Sequence, residues 1–172
     1  MRTILTLMLL FAVQGAIAQT TVKFAAKSGD AELDLTLSDM NTTATADFSV
    51  FKSEMKLTYN VTDHKIEDLR IRVKMAPADI YMTLELARLS GKSVDQVVKV
   101  YEANRDKGWG VIAKELGIKP GSKEFHELKG NAKNKNEKVK GKGNSGNKGK
   151  GPKSKEGAAP APNNGAAPGK KK

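Results

Sequence analysis

From Thr62 onward the apolar positions recur at helical spacing. Ile66, Leu69 and Val73 fall at i, i+3 and i+7, one face of a helix. Thr62 or Asp63 can cap it, with Glu67 and Asp68 early in the helix where acids are favoured. Pro77 stops that helix and opens the next, because a missing N–H costs nothing at a first helical position. Ala78 to Leu89 then places Ile80, Leu84 and Ala87 on one face, widened by Tyr81, Leu86 and Leu89. Gly91 supplies a left-handed end residue, and Ser93 with Gln96 forms a capping box for the next helix. Val94, Val97, Val98 and Tyr101 are its inward face, and Gly108 ends it. Val111 to Leu116 is a short amphipathic helix ended by Gly117; Pro120-Gly121 makes a turn. Ser122 caps a last short helix with Glu124 in its first turn and Phe125 and Leu128 on one side.

The N-terminal half is less uniform. Leu33, Leu35 and Leu37 alternate with Asp34, Thr36 and Ser38, a period-2 pattern that predicts a short strand or an extended segment laid on the core. Residues 42–61 fit two templates. Phe48, Phe51, Met55 and Tyr59 share a helical face, while Phe51, Met55, Leu57, Tyr59 and Val61 also fit alternation with polar neighbours. Asp47, placed as a first-turn acid, tips the choice toward helix. The expected fold is mainly α: a small bundle of about five short helices over residues 33–128, with room for a short N-terminal strand or hairpin and with α+β as the alternative.

The first eighteen residues read as an export signal. Arg2 is a charged start, Ile4 to Val13 is almost wholly apolar, and Ala16-Ile17-Ala18 is an A-x-A cleavage site before Gln19. The apolar run is about half of the ~20 residues that a membrane span needs. The expected product begins at Gln19, is periplasmic or extracellular, and has a mobile lead-in over residues 19–32.

Charge divides the chain. Residues 1–128 hold 17 Lys/Arg and 17 Asp/Glu, whereas residues 129–172 hold 13 Lys and two Glu, so the whole formal charge of +11 sits at the C-terminal end. That end also has nine Gly, no aromatic residue and one β-branched residue, Val139. Such a composition predicts a disordered tail over 129–172. Its lysines, among them Lys133, Lys135, Lys138, Lys140, Lys142, Lys148, Lys150, Lys153 and Lys155, would attract anionic surfaces and polyanions by counterion release, without base stacking.

Catalytic chemistry is not signalled. The absence of Cys removes thiolate nucleophiles, disulfides and Cys-based zinc sites. The two histidines are His64 and His126, and His126-Glu127 is followed by Leu128, Lys129 and Gly130 rather than by a second His. No nucleophile elbow or phosphate loop is present, so a non-enzymatic protein with no cofactor, catalytic or metal-ligating set is expected. Two binding readings remain. Ile112-Ala113 followed by Leu116-Gly117-Ile118 has the look of a helix-turn-helix, opposed by Glu124 and Glu127 on the second helix and by the export signal. The other reading is a binding module around Trp109, Phe125 and His126, in which Trp109 is either a recognition anchor or, the preferred role, a core residue.

Pro77-Ala78-Asp79-Ile80-Tyr81-Met82 and the stretch Gly108 to Lys129 resemble the "PADxYM" and "GWGxIAKxLGIKPGSxEFHxLK" segments of a group of uncharacterised bacterial exported proteins with Lys/Gly-rich ends. The resemblance implies export and a compact helical body. It carries no activity, ligand or site residue to transfer.

Overall fold

The computed structural model describes residues 24–144 of the 172-residue chain, and seven helices lie among them: α1 Ala31–Ala46, α2 Phe48–Tyr59, α3 Asp63–Ile71, α4 Pro77–Ser90, α5 Val94–Asn104, α6 Trp109–Glu115 and α7 Lys123–Asn144. Residues 1–18, where an export signal is expected, lie outside the described residues. The mainly α expectation holds, and no strand occurs among the described residues.

α1 replaces the strand expected at Leu33–Leu37. Leu33 and Leu37 are buried, but Leu35 is 73% exposed, so alternation does not set the faces. Positions four apart share a side in a helix as well as in a strand, and Met40 and Ala44 continue the helical stripe. Asp30 starts the helix by accepting the Leu33 N–H at 2.9 Å. Thr36, Thr42 and Thr45 return their hydroxyls to carbonyls one turn back, a use of threonine that propensity rules underrate. Residues 42–61 are helical, broken once at Asp47. Its N–H closes α1 on the Thr43 carbonyl at 3.1 Å, and its carboxylate opens α2 by accepting from Val50. Asn60, in the left-handed region, ends α2.

The expected caps further on are in place. Thr62 accepts from Lys65 to start α3, Pro77 opens α4, Gly91 ends it with φ 67°, and Ser93 and Gln96 exchange hydrogen bonds at the start of α5. α5 stops at Asn104, one turn before Gly108.

α4 is the axis of the molecule. Ala78 and every residue from Ile80 to Ala87 are buried, including Thr83 and Glu85. A helix buried on all sides belongs at the centre, and α4 packs against α1, α2, α3, α5 and α7.

The largest departure concerns α7. The tail boundary expected at Lys129 falls inside this helix, which runs on to Asn144. Phe125, Leu128, Ala132, Lys135 and Val139 are spaced 3, 4, 3 and 4 apart and all are buried, together with Asn136. This is the seam of a helix packed along its length, and it lies against α1, α2 and α4. The seam is thinly apolar, with one Ala, one Val and one Lys in its second half, so composition concealed it. Lys135 is 8% exposed because Glu54 and Thr58 receive its ammonium at 3.0 and 2.7 Å. The lead-in is likewise fixed over its described part: Ala26 and Ser28 are buried, and the Ser28 N–H donates to Asp34 at 2.8 Å.

Gly130 lies inside α7 with open space where a Cβ would stand. Gly130→Ala is expected to stabilise the domain by about 0.5–1 kcal/mol, measurable as a raised midpoint in urea at unchanged slope.

Candidate functional site

The site is built where the two segments of the sequence resemblance meet. Asp79 lies in the first turn of α4 and Trp109 opens α6; the indole Nε1 donates to Asp79 Oδ1 at 2.8 Å. Asp79 Oδ2 accepts from the Ala76 N–H and from the Tyr101 hydroxyl, each at 3.2 Å. The Tyr101 and Trp109 rings stack at 5.2 Å with an interplanar angle of 28°. α4, α5 and α6 are thus joined at one carboxylate.

Burial pushes the Asp79 carboxyl above its ordinary value, against the lowering effect of its three donors. Burial, and then the neighbouring Asp79 charge, push the Tyr101 phenol up to about 12.

The glycines beside Trp109 have a steric reason. Trp109 N–H donates to the Ala26 carbonyl at 2.8 Å and Gly110 N–H to the Lys27 carbonyl at 3.1 Å. A Cβ at Gly108 would stand 2.4 Å from Lys27 Cβ, and one at Gly110 would stand 2.5 Å from the Ser28 carbonyl oxygen. Gly108 also has φ 88°, a region where a side chain is disfavoured. The Gly-Trp-Gly sequence is therefore the surface on which residues 26–28 are laid, and residues 24–30 are a docked strap rather than a mobile lead-in.

Between the strap, the loop after α3 and the α5–α6 corner opens a cleft of about 650 Å³. Tyr101, Trp109, Met75 and Ile112 contribute apolar wall, with Asp79 below. Lys27, Arg70, Lys74 and Arg105 also line it. Lys27 and Lys74 have φ of 47° and 59°, left-handed conformations that are uncommon for residues with a side chain. Arg105 lies 5.0 Å from the Tyr101 ring centroid and donates to the Val73 carbonyl; Arg70 lies 3.9 Å over the Phe48 ring.

A second polar cluster fastens α7. Glu85, 1% exposed, accepts from Tyr59 at 2.7 Å, from Arg88 at 2.7 Å and from Asn131 at 2.8 Å. Arg88 continues to Glu127 at 2.7 Å. Glu54, 4% exposed, takes Lys135 at 3.0 Å and Lys142 at 2.5 Å. Burial alone would raise both carboxyls, but the hydrogen bonds from Lys142 and Lys135 hold Glu54 below its ordinary value, and those from Arg88, Asn131 and Tyr59 do the same for Glu85.

The residues expected to act together do not form one site. Trp109 is a core residue, 2% exposed, whose edge reaches the cleft; Phe125 is buried on α7 and does not line the cleft; His126 is exposed on α7. His64 is exposed near the start of α3. Of the tail lysines, Lys135, Lys140 and Lys142 are ion-paired to Glu54, Asp39 and Glu54, Lys133 and Lys138 are exposed on α7, and Lys148, Lys150, Lys153 and Lys155 lie outside the described residues. The helix-turn-helix reading meets an α6 of seven residues and an α7 whose inner face is buried in the body. Asp79 was absent from the expected site. Its signal was available: an acid two residues beyond the Pro77 boundary, in the first turn of the helix.

No family model, no curated protein and no solved structure matches the chain.

Trp109→Phe keeps a large ring and removes the donor, and is expected to cost about 1–3 kcal/mol. Asp79→Ala leaves both the indole N–H and the Tyr101 hydroxyl without their acceptor and is expected to cost more; chemical denaturation orders the two. The lowered Glu54 and Glu85 carboxyls contribute stability that is complete above their ordinary value of 4.5 and is lost as pH falls through their lower folded values. Asp79 has the opposite sign: its contribution is present below its ordinary 3.8 and is lost as pH rises through its raised folded value. Urea midpoints measured from pH 6 down to pH 2 are expected to fall most steeply below about pH 4.5, and Glu85→Gln is expected to flatten that fall.

Proposed function

We propose that the protein is an exported, non-enzymatic binding protein whose folded body takes a small ligand into the cleft beside Asp79 and Trp109. The supporting observation is the combination found there. A concave, partly apolar space of ligand size adjoins a half-buried, hydrogen-bonded carboxylate and two lysines in uncommon backbone conformations. The three-part export signal supports the location. The sequence resemblance agrees with this location, since Asp79 from its first segment and Gly108, Trp109 and Ile112 from its second all line the cleft. Substitution of Trp109 itself is a poor test, since that residue also carries the fold.

Ala25 is exposed and lines the cleft, so Ala25→Phe fills the space without disturbing the core. Trp109, the only tryptophan, reports occupancy by its emission. A small-molecule panel is expected to yield ligands that change this emission saturably and raise the melting temperature of the wild type but not of Ala25→Phe. Hits that act equally on both proteins overturn the reading.

A second reading concerns residues 145–172, which hold seven Lys against one Glu, whereas residues 24–144 hold 21 Lys/Arg against 18 Asp/Glu. This segment associates with anionic envelope or extracellular polymers through loose, salt-sensitive attraction. The truncation that tests it ends at Asn144, because a cut at Gly130 removes most of α7. Loss of salt-sensitive heparin binding in the truncated chain supports the tail; full retention refutes it.

A further inference from the structure

Resting on the cleft reading above, we infer that the ligand is an amphipathic anion: a flat apolar body bearing a carboxylate, sulfonate or phosphate. The charge around the cleft is unbalanced in a specific way. Across the described residues Lys52, Lys56, Lys65, Arg72, Arg88, Lys129, Lys135, Lys140 and Lys142 all have carboxylate partners. Twelve others make no ion pair among those residues, and four of the twelve, Lys27, Arg70, Lys74 and Arg105, line one cleft. Their held positions come from other contacts: Arg70 over Phe48, Arg105 on the Val73 carbonyl and Lys27 on the Asp106 carbonyl at 3.2 Å. The contacts of Arg70 and Lys27 leave their positive charges uncancelled, while Arg105 is partly offset by the nearby Asp79.

The two acids of the lining do not reverse this balance. Asp79 is committed to three donors, and burial works against its ionised form. Asp106 is exposed, and only its backbone carbonyl is used. Residues 1–23 contain no Asp or Glu. An anionic ligand entering the cleft would therefore meet a net excess of positive charge. The apolar component follows from the wall: the stacked Tyr101 and Trp109 pair, with Met75 and Ile112, favours a flat hydrophobic body. Cations around an aromatic wall select against neutral ligands, which gain nothing from the charges, and against cationic ones, which are repelled.

The test compares two probes on the full chain after removal of the signal. The first is 8-anilinonaphthalene-1-sulfonate, a flat aromatic monoanion; the second is Nile red, a flat neutral dye. Lys74 is exposed and its side chain makes no hydrogen bond or ion pair among the described residues, so Lys74→Glu tests charge without touching the core. Arg70→Gln is the second variant, and Ala25→Phe is the blocked control. The expected result is saturable binding of the anionic probe, weakened about tenfold by Lys74→Glu and further by the double variant, a change of about 1.4 kcal/mol for each tenfold. Raised salt is expected to weaken it in the wild type and much less in the double variant. Nile red is expected to bind weakly and to ignore both charge substitutions. If both probes bind with equal affinity, are excluded by Ala25→Phe and ignore Lys74→Glu, the anion inference is refuted while the cleft reading stands. If the anionic probe binds the Ala25→Phe protein as it binds the wild type, the cleft reading itself fails and the inference falls with it.

Discussion

The hydrogen bond from Trp109 to Asp79 is the constraint around which the molecule is arranged. α4 is buried on every side, so its position decides where five other helices lie. Asp79 stands at its N-terminal end, where the helix dipole favours a carboxylate even as burial disfavours its charge. The indole N–H and the Tyr101 hydroxyl answer that carboxylate from α6 and α5. One acid therefore sets the start of the central helix, the angle of the α5–α6 corner and the depth of the cleft. Behind it, the absence of side chains at Gly108 and Gly110 lets the strap approach within hydrogen-bonding distance.

At the other end of the body the problem is different. α7 has few apolar residues to bury, and it is held in part by charge. Glu54 and Glu85 are nearly inaccessible, and their partners come largely from α7: Lys135, Lys142 and Asn131. Buried ionic groups contribute little net stability but penalise wrong arrangements severely, because a misplaced α7 leaves two buried carboxylates short of donors. The apolar seam supplies attraction, and these contacts set register. α7 lysines that suggested a free polycationic tail in composition are, in several cases, the groups that fix this helix.

The two halves of the chain were not equally legible. Caps and breakers from Thr62 to Gly121 read directly, because Thr, Pro, Gly and the Ser93–Gln96 pair act through local backbone geometry that neighbours rarely override. The Leu33-Leu35-Leu37 pattern misled because two of its three residues satisfy both periods, and only the exposure of Leu35 separates them. α7 was hidden for a physical reason: a lysine can occupy a core position if a carboxylate on another helix meets it, and no local pattern reports a partner 81 residues away. Trp109 was legible as a structural residue, and its flanking glycines marked a special place. Its acceptor was not, since pairing Asp79 with Trp109 depends on how α4 and α6 cross.

The first and last described elements of the body lie against each other. Lys129 reaches Asp30 and Asn136 reaches Asp39, contacts that span 99 and 97 residues, while the strap at Ala26–Ser28 closes on Trp109 and Gly110. A nascent chain that has emerged only as far as α6 holds α1 with the inner faces of Leu33, Leu37 and Met40 uncovered by their final partner. Closure of the core is therefore a late, nearly simultaneous event, and the loop it seals is almost the whole domain, a slow search by comparison with local helix formation. Such an architecture keeps the two ends of the domain unpaired until its last helix has been made.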